Sequence, residues 1–229
     1  MKHQPPVVIV GAGEFAEIAC EYLTHDSPYR VVGFTIGRDF LDRSEILGLP
    51  VVPFDEVERH FDPSEHSAIV AVTYAHLNRV RTQLYQETKE KGYTLCSYVS
   101  SNAFVWRGVA IGENCFVFEN NVLQYGVKVG DNVVLWSGNH IGHQTVVEDN
   151  CFISSHVVVS GFCRIGASSF LGVNSTIADN LVVAPDTVVG AGAVVIRDTE
   201  SGKVYKGNPA AGSEPRTTKL LRSSPTPLS

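Results

Sequence analysis

The sequence predicts a mixed fold: a small N-terminal α/β domain (residues 1–95), a parallel β-helix (96–200) and a C-terminal cap with a flexible tail (201–229). Three observations carry that prediction. From Ser97 to Asp198 the chain repeats in sixes without a break, and the third place of each six is always Val, Ile or Leu, from Val99, Val105 and Ile111 through to Val189 and Val195. Ahead of the repeat an apolar run, Val7 to Val10, leads into GAGEFAEIACEYL. Behind it the chain turns polar and rich in Ser and Pro.

A fixed short period with a branched apolar residue in one slot marks a solenoid whose turns bury their apolar faces against one another. The first slot is small, with Asn121, Asn139 and Leu181 among its exceptions, so places one and three point inward and place two points outward. Gly fills the fourth slot at 112, 130, 142, 166, 172 and 190, which suggests corners that need positive φ. Three such units make one triangular coil of eighteen residues, so residues eighteen apart stack on one outer face. The first face carries Tyr98, Phe116, Val134, Phe152, Phe170 and Val188; the second Phe104, Val122, His140, Val158, Thr176 and Val194; the third, with Ala110, Lys128, Val146, Arg164 and Val182, is mixed. A stack as apolar as the first is of the kind that marks an interface, and it is expected to be buried against other subunits; the alternative is that the N-terminal domain or the tail folds over it.

In the N-terminal region, Gly11 and Gly13 open a helix whose apolar positions recur through Ala16, Ile18, Ala19 and Leu23. The third glycine of a dinucleotide fingerprint is Ala16, and the strand from Val31 to Thr35 runs into FTIGRD without a clear ribose-binding acid, so NAD is disfavoured. Strands at Val31 to Thr35, Val51 to Val52 and Ala68 to Val72 alternate with helices at Asp55 to His60 and Leu77 to Lys91. That alternation reads as a half-sized, Rossmann-like parallel sheet. The loop of Gly11, Gly13, Glu14 and Phe15, with Thr35 ending the next strand, is a candidate site for a nucleotide diphosphate. A tight turn that binds nothing is the alternative.

Composition narrows the function classes. A net charge of −6 argues against a nucleic-acid partner. No apolar run reaches membrane-spanning length and MKHQPP lacks the look of a signal peptide, so a cytoplasmic location without membrane insertion is expected. Of five cysteines, Cys115, Cys151 and Cys163 fall in small inward slots, where packing is their expected role. The repeat itself holds His140, His143 and His156, and imidazole is the side chain suited to accept a proton near neutrality. The same trio could ligate zinc, but no carboxylate or cysteine clearly completes a set, and no metal is expected.

The unbroken hexapeptides, GAGEFAE, HIGHQTVVEDNCFI, FLGVNSTI and VYKGNPA together resemble the NeuD/PglD-type left-handed β-helix sugar acyltransferases, from Val7 to about Ala211. The resemblance implies a left-handed coil, an exception to the usual crossover hand. It also implies a homotrimer with active sites between adjacent β-helices, a nucleotide-sugar-binding N-terminal domain and acetyl-CoA lying along the coil corners. In TYAHLNRVR, Tyr74, Asn78 and Arg79 match a sugar-side motif. His143 matches the general base, with Gln144 where the family has its acid. A Gln cannot raise the basicity of a neighbouring imidazole as a carboxylate does, so either a backbone carbonyl orients His143, or the base is weaker, or His140 shares the task. Phe152 stands where relatives have a second His that meets the acyl donor, with His156 a nearby replacement; Gly161, Gly172, Val173, Gly190 and Ala191 fall at corners expected to meet the cofactor. The implied reaction is direct acetyl transfer to the amine of a nucleotide-linked amino sugar for bacterial surface polysaccharide. O-acetylation, a β-helix metalloenzyme of carbonic-anhydrase type and a catalytically silent nucleotide-sugar-binding trimer are the alternatives.

Overall fold

The computed structural model describes residues 5–213. Its first part is a parallel sheet built from β1 (Pro6–Val10), β2 (Arg30–Ile36), β3 (Glu45–Ile46), β4 (Leu49–Pro53), β5 (Ser67–Val70) and β6 (Thr94–Leu95), in the order β3-β4-β2-β1-β5-β6. The β3–β4 pair, which the apolar pattern did not announce, is the one antiparallel pairing of this sheet. Helices α1 (Glu14–His25), α2 (Val57–His60) and α3 (Arg79–Glu90) complete the unit. α1 begins where Gly13 ends the β1 turn, and carries Glu14 and Glu17 in its first turn and His25 in its last, complementing the helix dipole. Strands β2 and β5 flank β1, so the order of connection reverses at β1, the crevice where open α/β sheets bind ligands.

From Tyr98 onward every unit contributes a two-residue strand, and strands eighteen residues apart pair in parallel register. The register confirms all three stacks: Tyr98↔Phe116↔Val134↔Phe152↔Phe170↔Val188, Phe104↔Val122↔His140↔Val158↔Thr176↔Val194, and Ala110↔Lys128↔Val146↔Arg164↔Val182. The product is a three-sided left-handed β-helix. Its axis is filled by the third slot, Leu123, Leu135, Ile141, Val147, Ile153, Ile165, Leu171 and Ile177 all fully buried, and by small first-slot residues. The larger exceptions earn their place by hydrogen bonding: Asn121 Nδ2 donates to the Phe118 and Trp136 carbonyls, and Asn139 accepts from the Val157 N–H. Val204–Lys206 pairs in parallel with the last strand of the first face and turns back along Ala211–Ser213. The flexible-tail reading of 214–229 lies outside the described residues.

The corners correct one expectation. Positive φ falls in the sixth slot, at Asn114, Asn120, Asn132, Asn150, Asn174 and Asn180 and at Gly108, Gly126, Gly138 and Gly192, not in the fourth. Asn, like Gly, tolerates the left-handed region. The fourth-slot glycines answer a different demand, since a Cβ on Gly112 would lie 2.2 Å from Asp131 Oδ1 and one on Gly142 2.5 Å from the Ser160 carbonyl carbon. Stacked corners leave no room there.

The first outer face corrects another. It is covered by the chain's own N-terminal domain, not left for another subunit. Phe15 packs 5.4 Å edge-on to Phe116, Tyr22 5.0 Å edge-on to Phe118, and Tyr74 lies 4.9 Å from both Phe152 and Phe170, while Leu77 closes over Val188. Phe118 and Trp136 stack at 4.5 Å beneath α1. Period eighteen shows that this stack needs a cover; it does not show which segment supplies it. The signal was in α1, where Phe15, Ile18 and Tyr22 form a second stripe beside the one that meets the sheet.

Two polar clamps hold the domains in register. Arg81 is fully buried and donates to the carbonyls of Val70 and Asn114, and Asn114 returns the link by accepting from the Val70 N–H at 2.8 Å. Asn114, Asn132 and Asn150 then pass amide hydrogen bonds up one edge of the prism. With no carboxylate partner, burial alone pulls the Arg81 guanidinium down to about 10.

Candidate active site

At the carboxyl ends of β1, β2 and β5 lies a cavity of about 380 Å³ lined by Gly11, Gly13, Thr35, Phe40, Phe54, Val72 and Leu84 among others. Gly11 has φ +131°, and a Cβ there would meet the Ala71 carbonyl oxygen at 2.6 Å, so glycine is dictated. Around Gly13, by contrast, no atom lies within 4 Å of a Cβ position, which leaves the backbone at the start of α1 open to a ligand. The volume falls within the range of small-molecule sites. Thr35 faces the cavity from a buried position, its hydroxyl donating to the Val52 carbonyl at 3.0 Å. Phe15 does not serve here: it is 3 % exposed and belongs to the packing against the prism. Glu14 is exposed at the first turn of α1.

The TYAHLNRVR residues also sit elsewhere than a sugar pocket in their own chain. Tyr74 covers the first face, buried Asn78 donates to the Asn150 carbonyl at 2.5 Å, and Arg79 binds Ser168 at 2.8 Å and pairs with Asp186. These are contacts between the domains. Phe152, 2 % exposed beneath Tyr74 and Trp136, is likewise closed to a cofactor.

The remaining predicted residues divide between two edges of the prism. His143, Gln144 and Gly161 lie on the edge between the second and third faces, whereas His156, Gly172, Val173, Gly190 and Ala191 lie on the edge between the first and second. His140 projects half-buried from the second face between them. His156 adopts φ +58° and its ring lies over Gly138, where a Cβ would come within 2.6 Å of Nδ1. Among the described residues no three His, Cys, Asp or Glu side chains gather as a metal site.

His143 is exposed, and its ring rests on Gly161, whose Cβ would lie 2.6 Å from Cε1. A side chain at 161 would therefore displace the imidazole from this position. Phe162 meets the ring edge-on at 4.9 Å, and Phe104, Trp106, Gln124 and Tyr125 wall a largely apolar depression of about 360 Å³ beside it. Gln144 turns away: its N–H donates to the Tyr125 carbonyl at 2.9 Å, and its side chain lies against Gly126. Nor does a backbone carbonyl hold the imidazole; Nδ1 faces Oε1 of Gln124 at 3.3 Å, one coil earlier. Gln124 escaped sequence reasoning: it stacks one coil below Gly142, the neighbour of His143, so a one-coil spacing from the histidine itself points to Tyr125 instead.

Nucleophilic alternatives are poor. All five cysteines are buried and unpaired, and burial pushes Cys115 up to about 11 and Cys151 up to about 12. Their thiols donate to inner carbonyls such as those of Gly130 and Gly166. None is available as a thiolate.

Residues 126–161 match the family described as Bacterial transferase hexapeptide (six repeats). Of solved structures, PerB from Caulobacter crescentus in complex with CoA and GDP-perosamine is 26% identical, with 91% of this chain and 97% of that one covered and a TM-score of 0.82. The acetyltransferase domain of PglB from Neisseria gonorrhoeae is 25% identical, covering 92% of this chain and 100% of its own, at a TM-score of 0.81. WeeI from Acinetobacter baumannii, at 19% identity and a TM-score of 0.68 over 90% of this chain and 99% of that one, shares the fold. Fold, repeat and these likenesses define the class: the chain is a left-handed β-helix acyltransferase. Within that class it is similar to perosamine N-acetyltransferase from Caulobacter crescentus and to the PglB acetyltransferase domain.

Proposed function

We propose that this chain transfers the acetyl group of acetyl-CoA to the amino group of a nucleotide-linked amino sugar in the cytoplasm, for bacterial surface polysaccharide. The observation that carries the reading is an exposed imidazole on a glycine-cleared edge beside an apolar depression, in a chain that also has a nucleotide-sized cavity at its sheet crevice. The likeness to an enzyme solved with CoA and GDP-perosamine supports the two substrates. The unprotonated amine attacks the thioester carbonyl and the C–N bond forms. His143 takes the amine proton as the C–S bond breaks, and returns it to the departing thiolate. General-base help of this kind contributes about 10²–10⁴-fold, and holding both substrates in one cleft contributes more.

This reading calls for a second copy. The N-terminal domain rests on the first face, and His143 stands on the edge opposite that face, so a sugar held in one chain's cavity meets the imidazole of another chain. A homotrimer packed on the second face answers this, because a cyclic contact sets one border of that face against the other border on the next chain. His143 of one copy then approaches the His156, Val173 and Ala191 edge of its neighbour, where the thioester would lie. Exposed Phe104 and Val158 supply apolar contact on that face. This replaces the first face as the expected interface.

The test is His143→Asn assayed with acetyl-CoA and a panel of UDP-, GDP- and dTDP-linked amino sugars and their hydroxy analogues. A loss of about 10²-fold or more in kcat is expected; unchanged turnover removes His143 from the base role. Acceptance of the hydroxy analogues alone would make the enzyme an O-acetyltransferase. Mixing His143→Asn chains with Gly13→Glu chains, each inactive alone, restores activity if the site is shared between copies.

A further inference from the structure

We infer that Gln124 is the positioning residue of the site, fixing the tautomer of His143 so that Nε2 is the nitrogen free to accept a proton. This rests on the general-base reading of His143 given above.

Two contacts converge on one oxygen. The backbone N–H of His143 donates to Oε1 of Gln124 at 2.9 Å, and Nδ1 of the same residue faces that atom at 3.3 Å. A backbone N–H can only donate, so the amide group must present its oxygen here; the flipped amide would set N–H against N–H. An amide oxygen can only accept, so a neutral imidazole satisfies the second contact only with its proton on Nδ1. Nε2 is then left with its lone pair.

The assignment matters because a free neutral imidazole prefers the other tautomer, with the proton on Nε2, and a ring in that state cannot act as base through Nε2. The geometry around the ring removes other ways of setting it. Gly161 lies under the ring face, Phe162 meets it edge-on, and Gln144 points along the edge toward Tyr125. Gln124 thus supplies orientation and tautomer, the part a carboxylate partner commonly plays, but not the added basicity of a negative charge. Its origin in the fold is the coil stacking: Gln124 occupies the fourth slot one coil below Gly142, and its side chain reaches up to the next residue.

The experiment uses the full chain labelled with 15N-histidine. Wild type is expected to show His143 with a protonated Nδ1 and an unprotonated Nε2 above the titration of the ring. In Gln124→Leu the proton moves predominantly to Nε2, and kcat falls about tenfold with KM for both substrates nearly unchanged. Gln124→Glu keeps an acceptor for the backbone N–H and controls for folding; it holds Nδ1 protonated and moves the low-pH limb of the rate profile upward, because the new carboxylate stabilises the imidazolium. A wild-type ring with its proton on Nε2, or a Gln124→Leu ring whose tautomer is unchanged, would overturn the inference. The nitrogen spectra do so independently of turnover, whereas an active His143→Asn enzyme with the expected spectra would sink the general-base reading alone.

Discussion

The first and second outer faces of the prism come from the same repeat and have met opposite fates. The first has Tyr98, Phe116 and Phe152 nearly inaccessible beneath α1 and the Tyr74 loop, while the second leaves Phe104 52 % and Val158 40 % exposed. Both are stacks of outward side chains in register. The difference is that the first is rich in aromatic rings, with which a helix bearing Phe15 and Tyr22 interlocks, whereas the second is interrupted by His140 and Thr176. What a periodic sequence determines is which side chains share a face; the partner of each face is chosen by shape. The second face is the one proposed above to meet another copy, and its two borders carry the two halves of the expected chemistry.

The largest way to break this comparison is to cut into the covered face. Phe118→Ala removes a ring 1 % exposed and stacked on Trp136, and is expected to cost about 3–5 kcal/mol. In a chain of this size that lowers the melting midpoint by roughly 10 °C, at any protein concentration. Phe104→Ala on the open face should change stability at the monomer level by no more than about 0.5 kcal/mol, yet shift the sedimentation profile toward smaller species at low concentration. Equal effects of the two substitutions in dilute solution would show that the faces do not differ as described.

Arg81→Ala sharpens the same contrast from the polar side. It leaves the buried carbonyls of Val70 and Asn114 without their donor and opens a cavity between sheet and prism, and is expected to cost about 3 kcal/mol. Differential scanning calorimetry should show one transition in the parent and two in the variant, as the sheet domain releases ahead of the coil.

Much of this was legible beforehand, and the residues that were not share a cause. The third slot, from Val99 to Val195, gave the axis, the stacking and the three faces, because a strand's alternation and an eighteen-residue coil leave no freedom. The fourth-slot glycines show the limit: glycine serves both positive φ and close approach, and only the positions of Asp131 and Ser160 in the next coil tell these apart. The candidate site was legible in its proposed imidazole but not in that ring's partner. Gln124 and His143 belong to different coils, and the motif around the histidine directs attention to its chain neighbour Gln144. Tyr74, Asn78 and Arg79 were legible as a group but not as contacts of the domain interface.

Asp26 offers a smaller, pH-dependent test of the covered face. Hydrogen bonds from Ser101 and then Tyr98 hold its carboxyl down to about 2, tying the end of α1 to the first coil. A carboxylate with a depressed folded value contributes stability that is fully present above its unfolded value near 4 and is lost as the pH falls toward 2. Because the group is partly exposed, the contribution is discounted to about 1 kcal/mol. Asp26→Asn should therefore melt earlier than the parent at pH 7 and match it near pH 2. A constant gap across that range would show that the carboxylate's charge is not what matters.

Arg79 and Asp186 should give the smallest effect. The pair joins the start of α3 to the prism, but the Arg79 side chain is 52% and that of Asp186 37% exposed, so water screens the attraction and each long side chain loses freedom in making it. Arg79→Ala is expected to cost at most about 1 kcal/mol, falling further in 0.5 M salt, and most of the loss should come from the Ser168 contact at 2.8 Å. Asp186→Ala, which leaves that contact in place, separates the two contributions. If Arg79→Ala and Asp186→Ala destabilise equally and both effects vanish with salt, the ion pair carries the clamp; if the Arg79 effect persists in salt, the neutral hydrogen bond does, and the cover of the first face depends on shape and hydrogen bonding with little help from charge.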